Sequence, residues 1–169
     1  MHVCMAYLNK GDKALIPNPG YPTYNSAVTL AEGIPTPYAL LPENGWYPDF
    51  DELEKLAPGA KIMFANYPNM PTGARASREL FQKLLAFAKK HNILLVHDNP
   101  YSFLRNGEPL SIMAEEGAMD VAIEFNSLSK SHNMAGWRVG VVIGNAQRID
   151  EILRFKSNMD SGMFYPIQE

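Results

Sequence analysis

Ile93-Leu94-Leu95-Val96, running into His97-Asp98-Asn99-Pro100-Tyr101, is the stretch that decides how this chain folds. Four consecutive apolar residues with no polar alternation describe a strand covered on both faces. Upstream, Ser77 can cap a helix whose Leu80, Phe81, Leu84, Leu85 and Ala88 share one face. Before that helix, Lys61 to Ala65 reads as another strand. Further back, Lys13 to Ile16 is a short strand closed by Pro17, and Tyr24 to Glu32 is a helix stopped by Gly33. Asp49 to Glu52 is a capping-box arrangement that opens a helix through Leu53 and Leu56 and ends at Pro58 and Gly59. Downstream, Asp120 to Phe125 and Val139 to Ile143 are strands, and Ala146 to Ser157 is a final helix. Strands alternating with helices predict an α/β fold: a mostly parallel sheet with helices on both faces. There is no internal repeat and no low-complexity segment.

The chain's 169 residues suffice for one domain with a real core. Its 46% apolar and 20% charged residues are an ordinary globular balance. A net charge of -3 gives no electrostatic reason to expect nucleic acid or an anionic membrane as partner. No apolar run is long enough to span a bilayer. Met1 to Met5 has no charged start followed by an apolar stretch, so it does not read as a secretory signal. Cys4 is the single cysteine, which excludes an internal disulfide and a cysteine metal site. That usage is compatible with a cytoplasmic location. His2, His91, His97 and His132 lack metal-ligand spacing and read as surface or turn histidines. Residues 1 to 9 read as a helix already in progress, and 161 to 169 stop without a finished element. Either the chain is a piece of a longer protein or its natural ends are ragged.

In open α/β sheets, ligands bind beyond the carboxyl ends of the strands. Four marked segments fall there: Pro19-Gly20-Tyr21-Pro22, Asn66 to Gly73, Asp98-Asn99-Pro100-Tyr101, and Ser127-Leu128-Ser129-Lys130. Lys130 is a candidate Schiff-base lysine. Arg138, eight residues on and between Gly136 and Gly140, can fork onto a phosphate, or form a structural ion pair. Together with the serine hydroxyls they suggest pyridoxal phosphate, whose aldehyde and phosphate need such partners. Asp98, at the end of an apolar strand, is either a partner for a protonated pyridine nitrogen or a turn and cap residue. Tyr21 either stacks on a planar ligand or packs. Tyr101 either donates to a phenolate oxygen or is a partly buried tyrosine.

The order and spacing of these four segments resemble the class I and II aminotransferases of pyridoxal phosphate fold type I, most closely the aspartate and diaminopimelate aminotransferase-like subgroup. The resemblance runs from residue 1 to 169. It implies a partial pyridoxal phosphate-binding large domain, with the N-terminal arm and the C-terminal small domain outside the chain. It further implies that Lys130 carries the cofactor and shuttles the proton. Asp98 would pair with the pyridinium nitrogen, Tyr101 with the phenolate oxygen, Tyr21 with the ring face, and Ser127 and Arg138 with the phosphate. The implied reaction is transfer of an amino group between an amino acid and a 2-oxo acid, in a homodimer. The same residues would serve a lyase or decarboxylase of this fold, or a non-catalytic cofactor-sensing domain. One position departs from the family pattern: the asparagine that usually precedes Pro-Thr-Gly is Met70 here, and a methionine cannot donate to the phenolate.

Overall fold

The computed structural model describes residues 1–104 and 108–168. Six strands form one sheet: β1 (Lys13–Asn18), β2 (Ile34–Ala39), β3 (Ala60–Asn66), β4 (Leu94–Asp98), β5 (Ala122–Ser127) and β6 (Gly140–Ile143). Their order across the sheet is β2-β1-β3-β4-β5-β6, and all pairings are parallel except β5 with β6. The expected α/β fold, a mostly parallel sheet with helices on both faces, is the fold observed.

Two apolar clusters, one on each face, hold the helices to the sheet. Leu15, Met63, Leu95 and Ala122 point into the first, against α3 (Phe50–Leu56), α4 (Arg78–His91) and α5 (Ala118–Val121). Their chain neighbours Ala14, Ile62, Leu94, Val96 and Ile123 point into the second, against α1 (His2–Tyr7), α2 (Pro22–Leu30) and α7 (Ala146–Met159). The alternation follows from the two-residue period of a strand. Each fully buried large aliphatic side chain contributes about 1.5–3 kcal/mol, so two-sided cover is what stabilises the sheet.

Local signals place most of the boundaries. Asp49 Oδ1 accepts from the amides of Asp51 at 2.8 Å and Glu52 at 3.2 Å, opening α3. Ser77 Oγ accepts from the Leu80 amide at 3.1 Å, opening α4, and Asn92 ends it in the left-handed conformation at φ 52°. Ile93 closes that turn through its amide bond to the Ala88 carbonyl, so β4 begins one residue later than the apolar run.

Three expectations are corrected and one strand is added. β1 does not close at Pro17 but runs to Asn18. Its pairing with β3 reaches only Leu15, so the amide that Pro17 lacks is not needed on that side. The helix expected from Tyr24 to Glu32 starts at Pro22 and ends at Leu30. Proline is preorganised for a first turn. β2 has no counterpart in the sequence reading, and its Pro35 and Pro37 give no strand signal. It lies at the sheet edge, and the two prolines share one parity, so both missing amides face outward. Finally, Asp120 is not in a strand: Ala118–Val121 is a single helical turn after Gly117, and β5 starts at Ala122.

His97 also departs from expectation. It is neither a surface nor a turn residue but fully buried, at 0% exposure. Among the described residues no helix is long and apolar enough to cross a membrane, and no cluster of side chains has the makings of a metal site.

Candidate active site

β1, β3, β4 and β5 end at the same edge of the sheet, and the loops that follow them enclose a cleft of about 300 Å³. All six residues singled out in the sequence line it: Tyr21, Asp98, Tyr101, Ser127, Lys130 and Arg138. They come from segments as far apart as residues 21 and 138, so only the parallel register of the sheet brings them together.

Asp98 is the last residue of β4 and projects into the cleft from the face that carries α2. Its Oδ2 accepts a 2.6 Å hydrogen bond from the Tyr24 hydroxyl. Among the described residues its carboxylate has no ion-pair partner. Burial pushes the Asp98 carboxyl up from its ordinary range, while the Tyr24 hydrogen bond and the charge of His97 pull the other way. Burial and the Asp98 charge raise the Tyr24 hydroxyl in turn, which keeps it a donor. Tyr101 is raised by the same two causes.

Lys130 lies on α6 (Leu128–Ser131), one helical turn whose cap is Ser127. Ser127 Oγ accepts from the Ser129 amide at 3.1 Å. The Lys130 side chain is exposed at the cleft rim. Arg138 takes up the left-handed conformation at φ 58°, which turns the chain between the two flanking glycines. Its Nη1 donates to the Ala135 carbonyl at 2.9 Å. Tyr21 remains 47% exposed beside the cleft, with its ring edge-on to Tyr24 at 5.8 Å between centroids.

Sequence reasoning gave no role to two residues that build the cleft, Tyr24 and Asn66. Tyr24 sits three positions after Tyr21, on the same side of α2, and that spacing was the available signal. Asn66 ends β3, and its Nδ2 donates to the Asp98 carbonyl at 2.8 Å while its Oδ1 accepts from the Met70 amide at 2.8 Å. Asn66 thus ties the end of β4 to the loop carrying Met70. A polar residue closing an apolar strand was the signal for it.

Met70 lines the cleft, and Asn69 does not. Asn69 is buried, and its Oδ1 accepts from the Thr72 hydroxyl at 2.7 Å and the Thr72 amide at 3.3 Å. It closes the turn of its own loop and is no substitute donor to the cleft.

Comparison with known proteins agrees with this architecture. The profile of the family "Aminotransferase class I and II" matches residues 2–168. The chain is 49% identical over 168 residues to an LL-diaminopimelate aminotransferase of Gloeobacter violaceus, covering 98% of this chain and 43% of that protein. It is 46% identical over 168 residues to LL-diaminopimelate aminotransferase 2 of Trichormus variabilis, with the same coverage of both. Among solved structures, substrate-bound BacF from Bacillus subtilis superposes with a TM-score of 0.92 at 42% identity. That match covers 96% of this chain and 42% of that one. The chain therefore spans less than half the length of these relatives. A profile match over residues 2–168, with relatives at 46–49% identity and a superposition at a TM-score of 0.92, admits one assignment: the chain belongs to the class I and II aminotransferases, a family of pyridoxal phosphate-dependent enzymes.

Proposed function

We propose that this chain is the cofactor-binding core of an enzyme that transfers an amino group between an amino acid and a 2-oxo acid. In this reading it is the central part of a larger domain, and the whole protein is a cytoplasmic homodimer. The observation that carries the reading is the single cleft on which Tyr21, Asp98, Tyr101, Ser127, Lys130 and Arg138 converge.

The residues fit pyridoxal phosphate on physical grounds. Asp98 is a partly buried carboxylate without an ion-pair partner among the described residues, and a cationic ring nitrogen would offset its desolvation. Lys130, Ser127 and Arg138 supply an amine, a hydroxyl and a guanidinium on the same cleft, matching an aldehyde and a phosphate. Met70 is the one poor match, because its thioether cannot donate where a phenolate oxygen would lie.

Bound pyridoxal phosphate supplies an electron sink for charge developing at the substrate's Cα. Lys130 Nζ would hold the cofactor's aldehyde carbon and, when free, would accept the Cα proton and give it back. Asp98 would keep the ring nitrogen protonated, and Tyr24 fixes the orientation of that carboxylate. Tyr101 would donate to the phenolate oxygen, Tyr21 would cover the ring face, and Ser127 and Arg138 would hold the phosphate. LL-diaminopimelate is the first amino donor to test, since relatives at 43–49% identity carry that name.

The test is borohydride reduction of the full-length protein after incubation with pyridoxal phosphate, followed by peptide mapping. The adduct is expected on Lys130 alone. An adduct spread over surface lysines, or none, would overturn the reading.

A further inference from the structure

On the face of the sheet opposite Asp98, His97 and Glu124 stand side by side on β4 and β5. Both side chains are buried, at 0% and 2% exposure. His97 Nδ1 lies 2.9 Å from Glu124 Oε2. His97 Nε2 lies 3.0 Å from the Tyr67 carbonyl oxygen, which can only accept. Three more donors converge on the carboxylate: the Ile112 amide at 3.0 Å, the Ser111 hydroxyl at 2.9 Å and Asn99 Nδ2 at 3.3 Å. With donors on both oxygens the carboxylate needs no proton of its own. Each nitrogen of the His97 ring thus faces an oxygen, Nδ1 the Glu124 carboxylate and Nε2 the Tyr67 carbonyl. Burial works to raise the Glu124 carboxyl, but the bonds from His97, Ser111 and Ile112 outweigh it and hold it below its ordinary range.

A buried ion pair is a poor source of stability, because desolvation offsets most of the attraction. Its geometry points to another role. The chain leaves β4 at Asp98 and returns beside β5 at Ser111 and Ile112. Asn99 opens this excursion and donates its amide to the Phe125 carbonyl at 2.8 Å. Its Nδ2 reaches both the Leu110 carbonyl, at 3.0 Å, and Glu124. Both ends of the excursion are therefore tied to one carboxylate. Tyr101, which lines the cleft, rides on it two residues after Asn99. His97 is the chain neighbour of Asp98, so the same pair also anchors the end of β4.

We propose that the His97–Glu124 pair is a clip that positions Asp98 and Tyr101 at the cleft, acting through the backbone without touching the ligand. The proposal rests on the cofactor reading above only for its catalytic consequence.

The test uses the full-length protein with three variants: Glu124→Gln, His97→Gln and the double variant, whose two carboxamides can pair without charge. In Glu124→Gln, amide hydrogen exchange at Asn99 and Ile112 should speed by about tenfold or more, the scale of one hydrogen bond to a charged group. Exchange in β3 and α4 should stay at its original rate. With pyridoxal phosphate bound, the visible circular dichroism of the cofactor should change, and kcat should fall by about tenfold with KM unchanged. The double variant should regain part of both properties. Exchange that accelerates evenly across the sheet, or not at all, would overturn the clip, as would unchanged dichroism and kcat despite faster local exchange. A wild-type protein that takes up no pyridoxal phosphate would sink the cofactor reading instead. The exchange pattern would then decide the clip by itself.

Discussion

The Tyr24 hydroxyl donates to Asp98 Oδ2 at 2.6 Å, joining the first turn of α2 to the end of β4 across 74 residues of chain. The Tyr24 ring is fixed by stacking on Phe64 at 4.9 Å, with 17° between the planes. The hydroxyl therefore has little freedom, and among the described residues it is the hydrogen bond that pulls the Asp98 carboxyl back toward its ionised form. Tyr24→Phe keeps the stack and removes that bond. A hydrogen bond to a charged group is worth about 1.5–3 kcal/mol, so kcat/KM for amino transfer should fall about 10- to 100-fold. Steady-state kinetics of the full-length variant check this, and a loss of less than twofold would remove Tyr24 from the proposed mechanism.

Asp98→Asn separates function from stability. Amino transfer should drop by about 100-fold or more, the scale of losing a preorganised electrostatic partner, while borohydride still traps the cofactor on the protein. Without cofactor the sign reverses. The folded-state pKa of Asp98 lies above the ordinary 3.8, so the folded protein holds this proton more tightly than the unfolded chain. Its contribution is favourable below the ordinary value and is lost as pH rises through the raised one. The cofactor-free variant should therefore melt higher than wild type at pH 7, with the gap closing toward pH 4. Melting curves at both pH values read this directly, and a variant that melts lower at pH 7 would contradict it.

Arg138→Leu should weaken cofactor retention rather than chemistry. The guanidinium is exposed on the cleft and, among the described residues, donates to the Ala135 carbonyl alone, so its removal leaves little unsatisfied in the fold. Losing charge-assisted bonds to a phosphate should raise the pyridoxal phosphate dissociation constant by about 10- to 100-fold. Equilibrium dialysis of the full-length variant gives the value, and an unchanged constant would take the phosphate role from Arg138.

Met70→Asn should restore a donor to the cleft. The Met70 backbone is already held by its amide bond to Asn66 Oδ1, so the substitution alters the side chain on a fixed main chain. A new bond to the phenolate favours its ionised form, and one such bond corresponds to about one to two pKa units. The pH titration of the Schiff base at Lys130, followed by its two absorption bands, should shift downward by that amount. An identical titration with cofactor still bound would show that Met70 only packs.

Sequence alone determined the fold class and the position of most elements. Ile93 to Val96, the caps at Asp49 and Ser77, and the apolar face of α4 are local signals, and local physics reads them. It also marked Tyr21, Asp98, Tyr101, Ser127 and Lys130 as candidates by their segments at strand ends, and Arg138 by its place between two glycines eight residues after Lys130; all six line one cleft. What sequence could not supply was strand pairing. β2 was hidden by Pro35 and Pro37, which are tolerated only because β2 became an edge. The helical turn at Asp120 was hidden because a four-residue element has no period to read.

Only the tertiary structure decided what each polar group at the strand ends touches. Tyr24 reaches Asp98 because β1 and β4 flank β3 in parallel register, not through any sequence proximity. Asn69, adjacent to Met70 in the chain, turns away from the cleft because its side chain is used to close the loop onto Thr72. His97 had every appearance of a turn histidine beside Asp98. It is buried because adjacent residues of a strand point to opposite faces: Asp98 faces the cleft, and His97 must face the core, where Glu124 meets it. Composition and periodicity set which residues are buried and in which elements. The partners of the buried polar groups depend on register and on the course of the loops, and those are properties of the assembled sheet.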